Sequence, residues 1–243
     1  MRILVTGATG FVGRHLAADL VNSGAEVLAV IRRRDAMAET AGIKTIVVPT
    51  IGRATEWSGA LAGVDAVVHL AAHVHDTSRV TPAALAFHDE VNALGTGRLA
   101  SEAARAGVRR FVFVSSIKVM GEATTERPYV ATDTPAPEDA YGRSKLEGER
   151  LLLKIAASSS LEPVIVRPPL VYGPGVRANF LRMMQLVDRG VPLPLGGVRN
   201  RRSLLYVGNL ADALVAAASS PAAAGQTFFL SDGRDVSTPD LVR

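Results

Sequence analysis

The sequence predicts an α/β fold in which helices cover both faces of a doubly wound parallel sheet. Short apolar segments alternate with segments of helical periodicity along most of the 243 residues, which is typical of repeated βαβ units. Segments such as 66–70 and 111–114 are continuously apolar, as expected for strands that are buried on both faces. A hydrophobic content of 48% is sufficient for a sizeable core and argues against disorder.

The elements can be assigned in chain order from these patterns. In the first helix Phe11, Val12, Leu16 and Leu20 recur near a period of 3.6 residues, and Gly24 follows as a C-cap. By the same reasoning strands are predicted near 2–6, 26–31, 44–48, 66–70, 110–115 and 163–167, and helices near 11–23, 53–62, 82–106 and 141–158.

The pattern changes after about residue 168, where proline and glycine become frequent. Short helices are predicted near 178–189 and 208–219, and short strands near 203–206 and 226–230. We therefore expect residues 168–243 to form mainly a small lobe, with some strand and helix returning to the main sheet. The last residues resemble the opening of a helix, so we expect this lobe to be truncated.

Composition limits the possible functions. The absence of cysteine excludes disulfides and thiolate chemistry and suits a cytoplasmic protein. No segment is apolar for long enough to span a bilayer, and no signal peptide is evident. The formal net charge of +4 comes mainly from arginine, and no patch of interleaved basic and aromatic residues is present. We therefore expect neither a nucleic acid nor a membrane as a partner.

Three glycines, Gly7, Gly10 and Gly13, stand between the first strand and the first helix. Gly7 can adopt backbone angles closed to other residues, Gly10 lets the backbone approach a pyrophosphate, and Gly13 allows the helix to pack closely on the strand. The helix N-terminus supplies free N–H groups and a positive dipole end. Because the glycines lie in a strand–helix–strand context, they predict a dinucleotide-binding turn of the Rossmann type. We assign residues 1–167 to this domain.

The end of the second strand bears on the choice of dinucleotide. An acid there accepts hydrogen bonds from the 2′-hydroxyl of NAD and repels the 2′-phosphate of NADP. In this chain the position is Ile31, followed by Arg32 and Arg33, whose guanidinium groups suit bidentate phosphate contacts. NADP(H) is therefore favoured as the cofactor, and NAD(H) is the alternative.

Tyr141 and Lys145 are four residues apart, so they share one face of a predicted helix. A phenol has a pKa near ~10 and is a weak acid–base catalyst at neutral pH, but a neighbouring ammonium lowers that pKa. Ser116 ends the preceding strand at the carboxyl edge of the sheet, where a hydroxyl faces a ligand crevice. Asn92 is expected to order the helix that supports Lys145.

Together these segments resemble the extended short-chain dehydrogenase/reductase family, in its nucleotide-sugar epimerase/dehydratase branch. The matching motifs appear in family order along nearly the whole chain: "TGATGFVG", "DAVVHLAA", "VNALGT", "FVFVSS", "YGRSK", "RPPLVYGPG" and "RRSLLYVGNLADA".

The resemblance implies a role for each matching residue. Tyr141 is the expected catalytic acid/base, Lys145 its partner, and Ser116 the hydroxyl that polarises the substrate oxygen. The residues expected to contact the cofactor are Gly7, Thr9, Gly10, Phe11, Val12, Gly13, Arg32, Arg33, Leu70, Ala71, Ala72, Asn92, Tyr141, Lys145, Arg167 and Pro168. The resemblance also makes the lobe at 168–243 mainly a substrate-binding lobe. The residues expected to contact the substrate are His73, Ser116, Lys118, Asn179 and Arg202.

Departures from the family pattern narrow the range of reactions expected for this chain. Sugar 4,6-dehydratases carry an acidic pair where this chain has Ile117 and Lys118, so dehydration is disfavoured. Sugar 4-epimerases usually carry the ribose-binding acid that is missing at Ile31. The stretch "SSIKVMGE" is similar to bacterial 4-keto reductases that supply sugars for surface polysaccharide. NADP(H)-dependent reduction of a nucleotide-diphospho-4-keto-sugar is therefore the favoured function.

Two alternatives are kept open. The first is a UDP-hexose 4-epimerase, such as a UDP-glucose 4-epimerase, that retains NAD. The second is a dinucleotide-binding redox sensor without turnover, which the Tyr141–Lys145 pair disfavours. For His73 and His75 two interpretations stay open: they face the sugar, or they are an ordinary pair of loop histidines. No metal site is expected, because no further ligands cluster around them in the sequence. A homodimer through the helices at 82–106 and 141–158 is also predicted.

Overall fold

The fold is described from a computed structural model of the chain, which describes residues 1–37, 39–74, 81–124 and 126–243. Its main feature is a seven-stranded sheet in which every neighbouring pair of strands is parallel. The strands are β1 (Arg2–Thr6), β2 (Glu26–Ile31), β3 (Ile43–Val47), β4 (Ala66–His69), β5 (Arg110–Val114), β6 (Glu162–Arg167), β7 (Leu170–Tyr172), β8 (Leu204–Tyr206) and β9 (Thr227–Phe229).

The sheet order is β3-β2-β1-β4-β5-β6-β9, and β7 and β8 form a separate two-stranded sheet. The order reverses between β1 and β4, so the helices that follow these strands leave on opposite faces. Ligands bind at the carboxyl ends of the strands beside such a reversal. The prediction of a doubly wound Rossmann-type sheet is confirmed.

Eight α-helices are present in the described part of the chain. They are α1 (Phe11–Asn22), α2 (Ser58–Leu61), α3 (Pro82–His88), α4 (Gly95–Arg105), α5 (Ala140–Ala156), α6 (Ala178–Asp188), α7 (Val207–Ser219) and α8 (Thr238–Leu241). Short 3₁₀ turns cover Arg34–Ala36, Ile117–Val119 and Pro221–Ala223, and a π-helical segment covers Asp89–Leu94.

The continuous apolar strands are explained by two cores, one on each face of the sheet. On one face α1 and α7 pack on Ile3, Val68 and Val112. On the other face Trp57, Phe111 and aliphatic residues of α4 and α5 form the second core. With both faces covered, alternate residues of a strand point into different cores and both sets are apolar.

The helix expected at 53–62 is shorter in the structure, where α2 covers only Ser58–Leu61. The residues before it form a turn in which the Thr55 hydroxyl accepts a hydrogen bond from the Gly52 N–H at 2.9 Å and donates to the Thr50 carbonyl at 3.1 Å. These local side-chain bonds compete with helical hydrogen bonding.

The helix expected at 82–106 is divided into α3, the π-helical segment and α4. The π segment contains Asn92, and such segments occur frequently at functional sites. Helical periodicity alone does not distinguish an extra residue in one turn from a continuous α-helix.

Part of the chain after residue 168 belongs to the main core. Strand β9 pairs with β6, and Leu210 and Leu214 of α7 lie in the core cluster that contains Leu16 of α1. Helix α6, in contrast, has no buried residue. The imidazole Nε2 of His15 lies 3.0 Å from the Pro174 carbonyl, which ties α1 to the loop after β7. No helix in the described ranges is both long and apolar enough to cross a membrane.

Candidate active site

The glycine turn has the geometry of a phosphate cradle. Gly7 has a φ of +71°, and a Cβ added there would lie 2.9 Å from the Ala71 nitrogen. A Cβ added at Gly13 would overlap the Gly7 carbonyl oxygen. Gly10 is the N-cap of α1 and provides no side chain, so the first-turn N–H groups are uncapped by a side chain. A dinucleotide pyrophosphate therefore fits this turn, since it replaces the missing cap with phosphate oxygens.

The other predicted cofactor residues lie around this turn. Thr9, Phe11 and Val12 belong to the turn and the first turn of α1, and each is partly buried. Leu70, Ala71 and Ala72 follow β4 at the same sheet edge and are also partly buried. Arg32 and Arg33 directly follow β2, and both are exposed.

Ser116 and Tyr141 lie on two elements in direct contact. Ser116 is the N-cap of the turn Ile117–Val119, and its hydroxyl accepts a hydrogen bond from the Lys118 N–H at 3.2 Å. Tyr141 is in the first turn of α5. A Cβ added at Gly142 would lie 2.5 Å from the Lys118 carbonyl oxygen. Only glycine therefore allows the start of α5 to approach the Ser116 turn so closely.

Burial dominates the ionisation of the Tyr141–Lys145 pair. The side chain of Lys145 is 1% exposed, with its Nζ 4.1 Å from the centroid of the Phe113 ring. Burial lowers the pKa of Lys145 to about 7, and the nearby Glu149 carboxylate opposes that effect. Burial, and secondarily the charge of Asp139, raises the pKa of Tyr141 to about 12. The lowering expected from the sequence is therefore not found in the chain alone, because removal of water favours the neutral form of both groups.

Asn92 connects the segment after β4 to helix α5. Its Oδ1 accepts a hydrogen bond from the His73 N–H at 2.7 Å, and its Nδ2 donates to the His73 carbonyl at 3.0 Å. Nδ2 also lies 3.0 Å from the Ser144 hydroxyl, which donates to the Tyr141 carbonyl at 2.9 Å. The side chain of Asn92 thus supports the helix of Lys145 directly.

Two residues predicted to bind ligands are engaged within the protein. The Lys118 ammonium, predicted to contact substrate, lies 2.6 Å from an Asp139 oxygen and 2.7 Å from a Glu122 oxygen. The Arg167 guanidinium, predicted to contact the cofactor, forms a buried bidentate pair with Glu149 at 2.6 and 3.0 Å. Their charges are satisfied by carboxylates that sequence reasoning did not pair with them.

Pro168, another predicted cofactor residue, also has a structural contact. Its carbonyl accepts a hydrogen bond from the Ile117 N–H at 3.0 Å. This bond ties the segment after β6 to the Ser116 turn, so Pro168 contributes to the position of that turn through its backbone.

An aromatic cluster beside Tyr141 was not predicted in full. The ring of His73 lies 4.7 Å from those of Phe87 and His88, and the His88 ring lies 6.4 Å from that of Tyr141, all measured between centroids. Sequence reasoning identified His73 but missed Phe87 and His88. Spacing could have indicated His88, because it precedes Asn92 by about one helical turn in the sequence. The predicted His75 lies outside the described residues.

The remaining predicted substrate residues lie in the C-terminal part. Asn179 is exposed in the first turn of α6, directly after Ala178, whose φ of +57° is unusual for a residue with a Cβ. Arg202 is exposed and pairs through its backbone with Val236. Within the described ranges, no group of three or more His, Cys, Asp or Glu side chains is placed to hold a metal ion.

Comparison with known proteins places this site in a family context. The profile of the NAD dependent epimerase/dehydratase family matches residues 3–230. The chain is 45% identical to a UDP-glucose 4-epimerase of Vibrio cholerae over 246 aligned positions, which cover 99% of this chain and 74% of that protein. The match confirms the resemblance that the sequence motifs indicated.

Two solved structures of similar proteins support the same family assignment. MoeE5 in complex with UDP-glucose and NAD superposes with a TM-score of 0.82 at 32% identity, covering 99% of this chain and 79% of that one. A UDP-glucuronic acid 4-epimerase from Bacillus cereus in complex with NAD gives a TM-score of 0.85 at 25% identity, with 99% and 80% coverage. The glycine cradle, the Ser116 turn and the Tyr141–Lys145 helix thus lie in a matched fold, and the chain belongs to the NAD dependent epimerase/dehydratase family.

Proposed function

We propose that this enzyme interconverts the C4 epimers of a nucleotide-diphosphate hexose with NAD as the bound cofactor, and that UDP-glucose and UDP-galactose are the first pair to test. The observation that carries the proposal is the 45% identity, over 99% of the chain, to a UDP-glucose 4-epimerase. It reverses the order of the hypotheses from sequence, which favoured reduction of a 4-keto-sugar.

The residues of the chain supply binding and proton transfer in this reaction. When bound, NAD would supply the hydride-transfer chemistry at C4 of the sugar, and the glycine turn of Gly7, Gly10 and Gly13 would hold its pyrophosphate. Tyr141 takes the proton of the C4 hydroxyl during oxidation and returns it to the same oxygen during reduction. Ser116 donates a hydrogen bond to that oxygen as negative charge develops on it.

The ionisation of Lys145 suits this use of Tyr141. The uncharged phenol, with its pKa raised to about 12, is held ready to donate a proton to the 4-keto oxygen. To accept the proton in the other half of the reaction, the phenolate needs a nearby cation. Lys145 has a pKa lowered to about 7 by burial and supplies that charge when it is protonated.

A second candidate is reduction of a nucleotide-diphospho-4-keto-sugar by NADPH. It is favoured by one observation: Arg32 and Arg33 are exposed directly after β2, where Ile31 replaces the acid that would bind the NAD ribose. For either reaction we propose that Asn179 and Arg202 bind the diphosphate of the substrate, because a guanidinium group matches phosphate oxygens.

The two functions are separated by identifying the nucleotide that stays with the purified protein and by measuring turnover. We expect denatured protein to release NAD, identified by mass spectrometry, and expect UDP-galactose to accumulate from UDP-glucose without added cofactor. Absence of bound NAD, together with oxidation of NADPH in the presence of a nucleotide-diphospho-4-keto-sugar, would establish the reductase. A protein that does neither and only binds dinucleotide would support the sensor hypothesis.

A further inference from the structure

His69 is a buried polar residue at the centre of the sheet for which the proposed mechanism has no use. It is the last residue of β4 and is 0% exposed. Its ring stacks on Phe113 with centroids 5.7 Å apart and an interplanar angle of 19°. Polar groups at such positions are costly unless their hydrogen bonds are satisfied.

Both ring nitrogens of His69 have hydroxyl partners. Nδ1 lies 2.6 Å from the Thr6 Oγ1 on β1, and Nε2 lies 3.0 Å from the Thr96 Oγ1 on α4. The Thr6 oxygen also accepts a hydrogen bond from the Ala71 N–H at 3.2 Å. The Thr96 hydroxyl donates to the Asn92 carbonyl at 2.7 Å.

These contacts favour one arrangement of the protons, in which every hydrogen bond of the chain is kept. A hydroxyl has one proton to donate. With the Thr96 hydroxyl donating to the Asn92 carbonyl, its oxygen accepts from the Nε2–H of His69. The neutral ring then has a bare Nδ1, which accepts the proton of Thr6, and Thr6 accepts from Ala71. The opposite tautomer requires the Thr96 hydroxyl to turn to Nε2 and to give up its hydrogen bond to the Asn92 carbonyl. Burial, and secondarily the charge of Lys145, lowers the pKa of His69 to about 3, which agrees with a neutral ring.

The hydrogen-bond chain runs between the two halves of the active site. At one end it holds Ala71, which belongs to the segment expected to contact the cofactor. At the other end it reaches Asn92, whose side chain holds the backbone of His73 and contacts Ser144 on the helix of Tyr141 and Lys145. Strands β1 and β4, helix α4 and helix α5 are joined by this chain.

We propose that His69, as the neutral Nε2–H tautomer, is a positioning residue that sets the segment after β4 against the helix carrying Tyr141 and Lys145. It touches neither substrate nor reacting atoms in this proposal and acts through Thr6, Thr96 and Asn92. Its effect on turnover rests on the proposed function, whereas the tautomer and the hydrogen-bond chain do not.

The tautomer is tested on the wild-type protein by ¹⁵N NMR of the histidine ring. We expect a protonated Nε2 and an unprotonated Nδ1 for His69, without titration between pH 5 and 8. A protonated Nδ1, or titration in this range, would overturn the proposal. The measurement needs no substrate, so it stands even if the protein proves not to be an epimerase.

The positioning role is tested with His69→Phe, which keeps a buried aromatic ring, and His69→Gln, whose amide can still donate to Thr96. We expect His69→Phe to lower kcat at least tenfold, with KM changed less than twofold, and His69→Gln to restore part of kcat. Val68→Ala is the control, because it weakens the core beside His69 without touching the hydrogen bonds. Loss of stability in His69→Phe with an unchanged kcat would reduce His69 to a structural residue and overturn the proposal. If the wild-type protein turns over neither UDP-glucose nor UDP-galactose, the proposed function is contradicted, while the ¹⁵N NMR measurement still tests the tautomer.

Discussion

The ammonium group of Lys118 lies 2.6 Å from Oδ2 of Asp139, while Oδ1 of the same carboxylate accepts the Gly142 N–H at 2.6 Å. Asp139 is the N-cap of α5 and Lys118 belongs to the turn that begins at Ser116. One carboxylate therefore caps the helix of the proposed acid/base and binds the turn of the proposed oxyanion donor. The Ser116–Tyr141 arrangement depends on this junction.

Replacing this carboxylate is expected to change the pH dependence of the reaction. The charge of Asp139 contributes to the raised pKa of Tyr141, so Asp139→Asn removes that contribution while an amide oxygen can still cap the helix. We expect the pKa of Tyr141 to fall and the limb of the kcat profile that requires the phenolate to move to lower pH. Glu122→Gln, which removes the other partner of Lys118, is the control. An identical shift in both variants would argue against a specific effect of Asp139.

Tyr141→Phe is expected to abolish turnover while leaving the dinucleotide bound. Loss of a positioned acid/base costs ~10²- to 10⁴-fold in rate, and the glycine cradle does not depend on the phenol. Tyr129→Phe is the matched control, because the Tyr129 hydroxyl donates to the Ala123 carbonyl at 2.7 Å and is not part of the proposed acid/base site. Turnover and retained nucleotide are measured on the same preparations. Turnover of Tyr141→Phe within tenfold of wild type would contradict the assignment.

The buried Arg167–Glu149 pair is expected to behave as a unit. Removing one partner leaves a buried charge, so Arg167→Met or Glu149→Leu alone should lower the free energy of unfolding by ~3–5 kcal/mol. The double variant should lose less than either single variant, since no uncompensated charge remains. The exposed Arg150–Glu147 pair on the same helix is the control, with an expected effect of ~0–1 kcal/mol. Urea denaturation measures all of them, and additive single effects would refute the coupling.

Lys145 is expected to make stability rise with pH above neutrality. Its pKa is about 7 in the folded chain and ~10.4 when unfolded, so between these values the unfolded chain binds more protons. The free energy of unfolding should therefore increase from pH 7 to 9.5, by on the order of 1 kcal/mol per pH unit at most. In Lys145→Met this increase should disappear. Urea denaturation at several pH values checks it, and parallel pH curves for the two proteins would contradict the assignment.

If Arg32 and Arg33 bind the 2′-phosphate, they contribute to the affinity for NADPH and not to the affinity for NADH. A lost guanidinium–phosphate hydrogen bond costs ~1.5–3 kcal/mol. Alanine at both positions should therefore lower the affinity for NADPH about ten- to a hundredfold and leave the affinity for NADH unchanged. Arg34→Ala is the control for general loss of positive charge. Calorimetric titration with both dinucleotides measures the difference. Equal weakening of NADH and NADPH would show that these arginines do not read the 2′-phosphate.

Much of the fold was predictable because its signals are local. Continuous apolar segments located the strands, and the glycine spacing located the turn, since a short stretch suffices to express either pattern. The failures were also local in form: the Thr55 turn delays the start of one predicted helix, and a π-helical segment interrupts another. Neither competing interaction leaves a mark on hydrophobic periodicity.

The site was predictable only in part. Tyr141 and Lys145 could be paired because they are one helical turn apart, but their ionisation follows from burial that only the packed core creates. Lys118 and Arg167 are still predicted to bind ligands, and each also meets a carboxylate that the sequence did not reveal: Asp139 at the start of α5 for Lys118, and Glu149 on α5 for Arg167. A charged side chain in a sequence does not reveal which distant carboxylate will neutralise it.

By itself, then, the sequence determined the doubly wound sheet, the phosphate cradle and the family, because each is expressed in residues close together in the chain. The tertiary structure alone decided that Thr6, His69, Thr96 and Asn92 form one chain of hydrogen bonds. These residues come from β1, β4, α4 and the π-helical segment. Their meeting depends on strand register and helix packing, which set distances of a few ångströms between residues far apart in sequence.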